Sequence, residues 1–319
     1  MRKRAPAAGG KDSKYRHRKF NTGTAPRGII AAEQEVDAIQ KRKKLALIGG
    51  VGVALLAGTV LLGLDDQLTV RTYQLSSEKL TGAVRLVLLS DLHSCNYGEG
   101  QGELLDLVAV QEPDLVLLAG DWVDDEVSRL DPERAYTAAR ALAERWPTYY
   151  VTGNHEFWSG QVETIRKNLE ACGVIPLAGE TETVTVRGQT LQLCGVDDPA
   201  VGESAWSAQL AAVSSTGEDG LFRVLLSHRP ERAEDYVGRG FDLGLSGHAH
   251  GGQWGIPGIL NGLVAPNQGP FPQYAGGAYD LRDGATLIVS RGLARESTRV
   301  PRLYTPPEVV VIDLLPAEP

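Results

Sequence analysis

Six histidines occur in the chain, and five of them, His93, His155, His228, His248 and His250, fall at the ends of apolar runs or in the polar loops those runs feed. Histidines that merely fill a core would also turn up in helices and in mid-strand. Asp91, Asp121 and Asn154 close three apolar runs in the same way. Carboxylate, amide and imidazole donors without thiolate suit Mn, Fe or Zn rather than a structural cysteine–zinc site. In an extended chain, residues i and i+2 point the same way. Asp91 and His93 can therefore reach one ion together, and His248 and His250 can do so from another strand. The neighbours Asn154 and His155 diverge, which suits two different roles. Two ions that share a carboxylate can clamp the attacking and leaving oxygens of phosphoryl transfer, a site that needs about seven ligands. The chain supplies that number.

The elements that must position these residues are legible as alternating strands and helices. "VRLVLLSD" (84–91) is almost continuously apolar, as in a strand buried on both faces. A helix over 102–111 leads to the strand "DLVLLAGD" (114–121). A second helix over 131–145, with Asp131 as N-cap and Pro132 at its first position, leads to the strand "TYYVTGNHE" (148–156). A third helix spans 160–171. A short strand at "VIPL" follows, and then a hairpin turning at Arg187-Gly188. The later strands are "FRVLLSH" (222–228), "DLGLSGHAH" (242–250), "ATLIVSRG" (285–292) and "EVVVIDLL" (308–315), and "LTVRTYQLS" (68–76) precedes the whole series. Such alternation implies a mixed α/β sheet system flanked by helices. Polar residues at the carboxyl ends of strands are where open α/β sheets build their sites.

Charge divides the chain into three parts. Residues 1–44 carry thirteen Lys/Arg against four Asp/Glu, residues 45–64 carry none, and the remainder carries nineteen against thirty-six. The acidic remainder argues against nucleic acid as a partner, because a phosphate backbone needs a basic face. The uncharged segment, "LALIGGVGVALLAGTVLLGL", has twenty residues, and at 1.5 Å each these span about 30 Å, the thickness of a bilayer core. "KRKK" (41–44) precedes it and Asp65-Asp66 follows. The positive-inside rule then leaves a basic, disordered tail (1–44) in the cytoplasm. It makes 45–64 a transmembrane signal anchor and sends 65–319 out of the cytoplasm, giving a single-pass protein of the cell membrane. No small-x-small cleavage site follows Leu64, which disfavours a cleaved signal peptide. Three cysteines, Cys95, Cys172 and Cys194, are too few for a disulfide framework.

In this order, "SDLH", "AGDWVDD", "TGNHEFW", "LLSHRP" and "SGHAHGGQ" resemble the motifs of the calcineurin-like metallophosphoesterases. The stretch beginning "GLVAPNQGPFPQYAGGAYD" resembles the bacterial branch that is secreted or anchored by one helix. The resemblance covers residues from about 68 to 315 and implies a four-layer α/β/β/α sandwich holding two divalent metal ions, here preceded by the single transmembrane helix. Carried over residue by residue, Asp91, His93 and His250 hold one ion, and Asn154, His228 and His248 hold the other. Asp121 bridges the two, and His155 is the catalytic, non-ligand histidine beside the leaving group. The implied reaction is hydrolysis of a phosphodiester or pyrophosphate by in-line attack of a metal-bound hydroxide.

Other residues read more plainly. Asp124 and Asp125 are loop residues and Cys95 a buried thiol. Arg229 and Arg291 read equally as phosphate contacts or as ion-paired, and Trp122, Trp158 and Trp254 as pocket walls or core. "LARESTR" (293–299) is longer and more charged than the family's glycine-rich turn. A scaffold without turnover would lack a ligand, and none is lacking. A peptidase on the same ions would be expected to show an HExxH helix, and none occurs. Only Asp65, Asp66 and Gln67 separate anchor from first strand, at most about 10 Å. The domain must then sit against the headgroups, where a lipid-linked or cell-envelope substrate would be concentrated, although retention alone also explains an anchor.

Overall fold

The computed structural model describes residues 27–64, 66–126, 130–215, 220–295 and 300–317. The first part of the basic tail (1–26) and "ESTR" (296–299) lie outside the described residues. Helix α1 spans Arg27–Gly63 and so begins well before the apolar segment. Residues 27–44 are helical rather than disordered, since "AAEQEVDAIQKRKK" is rich in good helix formers. Within α1, Glu35–Gly63 is long and apolar enough to cross a membrane, and its apolar side chains are exposed. The chain forms two compact units, one ending at Ala57 and the other comprising Gly58–Pro319.

In the second unit the strands begin with β1 (Thr69–Ser77), β2 (Val84–Leu89), β3 (Leu115–Ala119), β4 (Thr148–Val151) and β5 (Ile175–Pro176). They continue with β6 (Glu180–Val186), β7 (Gln189–Gly195), β8 (Phe222–Leu226), β9 (Leu243–Ser246), β10 (Val264–Ala265) and β11 (Gly269–Pro270). The last three are β12 (Gly277–Asp280), β13 (Thr286–Val289) and β14 (Glu308–Pro316). Between them run α2 (Gly102–Val110), α3 (Glu133–Ala143), α4 (Asn154–Trp158), α5 (Val162–Ala171), α6 (Glu203–Val213) and α7 (Ala233–Tyr236). One six-stranded sheet has the order β1-β14-β2-β3-β4-β5 and the other β12-β13-β9-β8-β7-β6, with β10-β11 a separate hairpin. Strands β2 to β5 are mutually parallel, as are β7, β8, β9 and β13.

Alternation along β2 shows how the layers form. Leu86 and Leu88 point into a core shared with Leu117 and Val151 of the same sheet and with Leu193, Val224 and Leu245 of the other. Val87 and Leu89 point the opposite way, against Leu104 and Val108 of α2, Leu142 of α3 and Leu169 of α5. On the far face of the second sheet, Cys194 and Leu225 pack on Trp206 and Leu210 of α6. The result is helix, sheet, sheet, helix. Both faces of β2 must be apolar for this, which is why its sequence reads as a continuous run. Truncating Leu86 or Leu88 to Ala would cost about 2–5 kcal/mol.

Several strands stop earlier than their sequence patterns suggest. "TYYVTGNHE" leaves the sheet at Val151 and turns into α4 at Asn154, and "DLGLSGHAH" leaves it at Ser246. At the N-terminus of α3, Pro132 already has helical φ and ψ, and the Asp131 carboxylate caps the helix by accepting from the Glu133 N–H at 3.0 Å.

Candidate metal centre

The seven expected donors all lie just past the carboxyl ends of parallel strands: Asp91 and His93 after β2, Asp121 after β3, Asn154 after β4, His228 after β8, and His248 and His250 after β9. Five of them are not on extended backbone. Asp91 (φ 53°), His93 (φ 48°), Asp121 (φ 50°), His248 (φ 67°) and His250 (φ 48°) all occupy the left-handed region. Each such residue costs of order 1–3 kcal/mol, a cost that persists where the surroundings over-determine it. Glycines make room for the turns. A Cβ on Gly247 would collide with the Asp91 carboxylate, and one on Gly153 with that of Asp121.

This geometry corrects one expectation taken from spacing. Asp91 and His93 do face one point, but His248 and His250 part company because neither is in a strand. Donor atoms of Asp91, His93, Asp121 and His250 lie within 4.8 Å of one another, and those of Asp121, His228 and His248 form a second such group. Asp121 belongs to both. Its Oδ2 lies 3.1 Å from His228 Nε2 and 3.7 Å from His93 Nε2, and His250 Nε2 lies 3.6 Å from Asp91 Oδ1. Buried atoms here without a hydrogen-bond partner include His93 Nε2, Asp121 Oδ2, Asn154 Oδ1 and His155 Nδ1. Buried polar atoms are normally satisfied, and leaving one bare costs about 1–3 kcal/mol. Imidazole, carboxylate and amide atoms left bare beside one another fit a divalent cation.

Each imidazole is oriented from behind. His93 Nδ1 donates to Asp124 Oδ2 at 3.0 Å and His228 Nδ1 to the Ala119 carbonyl at 2.7 Å, which leaves both Nε2 atoms facing inward. His248 reverses the pattern. Its Nε2 meets Asn267 Oδ1 at 3.0 Å, and its Nδ1 faces His228 Nε2 at 3.1 Å. Such outer hydrogen bonds fix tautomer and direction in metal sites. Burial works against the His228 imidazolium, but the Asp121 carboxylate, helped by Asp91 and Asp198, outweighs it and raises the pKa to about 10. Burial also disfavours charge on Asp121, yet His228, His155 and His93 hold it well below the usual carboxylate range. His248 and His250 are pushed well below the normal imidazole value, first by burial and then by neighbouring cationic side chains, so both stay neutral.

His155 stands apart from the donors. It sits in the first turn of α4, its ring edge-on to His93 at 4.4 Å, with Trp158 alongside and its Nδ1 2.6 Å from Asp125 Oδ1. Its backbone N–H donates to Asp121 Oδ1 at 2.9 Å. Asp124, expected to be a loop residue, is buried against His93. Arg229 and Arg291 resolve as ion-paired, with Asp198 and Glu308 respectively. Trp122 is core, its indole N–H donating to the Ala135 carbonyl, whereas Trp158 and Trp254 are exposed. The three cysteines are all buried thiols.

Two residues of the centre escaped the sequence reading. Glu156 is fully buried and accepts four backbone N–H groups, from Asp121 and Gly153 on Oε2 and from Trp122 and Val123 on Oε1. It ties the β3 loop to the β4 loop. Burial and the nearby Asp121 raise its pKa to about 7, against the pull of those N–H groups. Its place three residues after a glycine N-cap is the capping-box position, and that spacing was the available signal. Asn267 had none, since it reaches His248 from a hairpin tip.

Residues 84–252, more than half of the chain, match the family model for calcineurin-like phosphoesterases, and the chain belongs to that family. It accordingly has a layered α/β fold. An uncharacterised metallophosphoesterase of Campylobacter jejuni is 28% identical over 77% of this chain, which spans 63% of that relative's length. The phosphodiesterase YaeI of Escherichia coli is 29% identical over 72% of this chain and 82% of its own. A bovine protein named for a transmembrane segment and a metallophosphoesterase domain is 27% identical over 82% of this chain and 62% of its own.

Proposed function

We propose that the second unit is a dinuclear phosphodiesterase acting on a phosphodiester or pyrophosphate. The observation that carries this reading is the pair of donor groups sharing Asp121, with bare buried atoms on His93, Asp121 and Asn154. Asp91, His93 and His250 would hold one divalent ion and Asn154, His228 and His248 the other, with Asp121 between them. When bound, such a pair activates water and neutralises charge on the phosphoryl oxygens. The chain's own residues do the rest. Asp124, the Ala119 carbonyl and Asn267 hold three imidazoles in place, and Glu156 holds the backbone from which Asp121 projects. His155, oriented by Asp125 and only partly covered, is placed to give or steer a proton at the leaving oxygen. The relative named as a phosphodiesterase supports the diester over the monoester.

We further read Leu45–Leu64 as a signal anchor, with the phosphoesterase domain of 65–319 outside the cytoplasm. The basic "KRKK" before it and the acidic pair after it support this orientation. The test of activity is hydrolysis of bis(p-nitrophenyl) phosphate by the full chain with added Mn, against metal-stripped protein. Turnover only with metal is expected, and equal rates in both would sink the reading. An impermeant protease applied to intact cells should digest the domain, and protection would reverse the orientation.

A further inference from the structure

From Gly251 to Tyr279 the chain runs for 29 residues without one charged side chain, in a protein that is 23% charged. The stretch follows His250 directly. Tyr274 packs inward, but several other large apolar side chains do not. Ile259 is 84% and Phe271 70% exposed, and Trp254, Ile256 and Val264 are exposed beside them, as is Val300 from the neighbouring segment. Surface hydrophobics scattered singly need no explanation, but this many on one stretch without a charge do. Trp254, Leu263, Val264, Pro266 and Val300 line an apolar groove of about 520 Å³.

Two contacts say what covers this lobe. On one side it is joined to the chain at the end of the apolar segment. Gly255 N–H donates to the Leu303 carbonyl at 2.8 Å, and the next residue, Tyr304, donates its N–H to the Gly63 carbonyl at 2.7 Å and its hydroxyl to that of Thr59. Packing there is close, since a Cβ on Gly63 would lie 2.6 Å from Leu303 and 2.7 Å from Tyr304. Thr59 and Gly63 are the last turn and a half of the proposed anchor, the point where the chain leaves the hydrocarbon. On the other side the β10–β11 hairpin carries Asn267 to His248.

We infer that the lobe 253–271 docks into the interfacial layer of the bilayer, so that a phosphoester borne on a membrane lipid reaches the metal centre across it. Exposed Trp, Phe and Ile on an uncharged surface, held level with the exit of an anchor, are what such a layer takes up. This rests on reading Leu45–Leu64 as an anchor, and the test separates the two. The full chain is reconstituted in phosphatidylcholine vesicles with a nitroxide at Ile259→Cys, at Phe271→Cys or, as a water-exposed reference, at Val110→Cys. Labels at 259 and 271 should collide more with oxygen than with a water-soluble nickel complex, and the label at 110 the reverse. Separately, Phe271→Glu should slow turnover of hexadecyl p-nitrophenyl phosphate in those vesicles about tenfold, while soluble bis(p-nitrophenyl) phosphate is unaffected. Release of the chain by alkaline carbonate would remove the anchor itself. A chain that stays integral with watery labels at 259 and 271, or an unchanged ratio of the two rates, would overturn the docking surface alone.

Discussion

The two halves of the centre share a carboxylate and have two histidines each, but they do not carry the same charge. On the proposed assignment, the first half combines Asp91 and Asp121 with two histidines, whereas the second has its share of Asp121, the neutral amide of Asn154 and two histidines. Their supports differ as well. His93 is backed by the Asp124 carboxylate and His248 by the Asn267 amide. A buried anion attracts a divalent cation more strongly than a dipole does, and a carboxylate behind a histidine makes it a better donor. On that assignment the first half should hold its ion more tightly than the second.

The most damaging way to break this comparison is to remove what the halves share. Asp121→Ala should empty both and bring activity to background, as read by elemental analysis of the purified chain. Two metals per chain after that change would disprove the bridge. His155→Ala should leave metal content intact and lower turnover by about 10²–10⁴. The loss should shrink for a leaving group that needs no proton, and equal losses would make His155 a positioning residue. Glu156→Gln must set an amide NH₂ against two backbone N–H donors, so the metal-free domain should lose about 1–3 kcal/mol in denaturant melts.

Two milder tests sharpen the asymmetry. A chelator titration should remove one ion at about tenfold lower concentration than the other, and Asn154→Ala should widen that gap. Ions leaving together would erase it. Below about pH 10 the metal-free protein keeps a proton on His228, and ligation requires the neutral ring. Metal uptake should therefore release a proton, with affinity at that site falling by at most about tenfold per pH unit as pH drops below that value. Calorimetry in buffers of different ionisation enthalpy reads this directly. The sign follows from the raised pKa. The His228–Asp121 pair stabilises the metal-free fold fully below the unfolded imidazole value, about 6.5, and ceases to do so as pH rises through about 10.

The candidate donors stood out in the sequence because each follows an apolar run, and the strands themselves were legible because both faces of β2, β3 and β8 are buried. What spacing misread was direction. Period-two reasoning holds only while φ stays extended, and at His248 and His250 it does not. The supports were hidden for a different reason. Asp124 and Asn267 make contacts 31 and 19 residues away in sequence, and no local pattern announces a partner at that distance. Glu156 alone left a local trace.

The position of β14 has a consequence for synthesis. It lies between β1 and β2, pairing parallel to one and antiparallel to the other, and among the described residues β1 pairs with no other strand. Strand β1 and one edge of β2 therefore wait for residues 308–316 before the first sheet can close. At a translation rate of about 5–20 residues per second, that delay is roughly 10–45 s. Throughout it, two long strand edges stand open to chaperones, or to each other in neighbouring nascent chains.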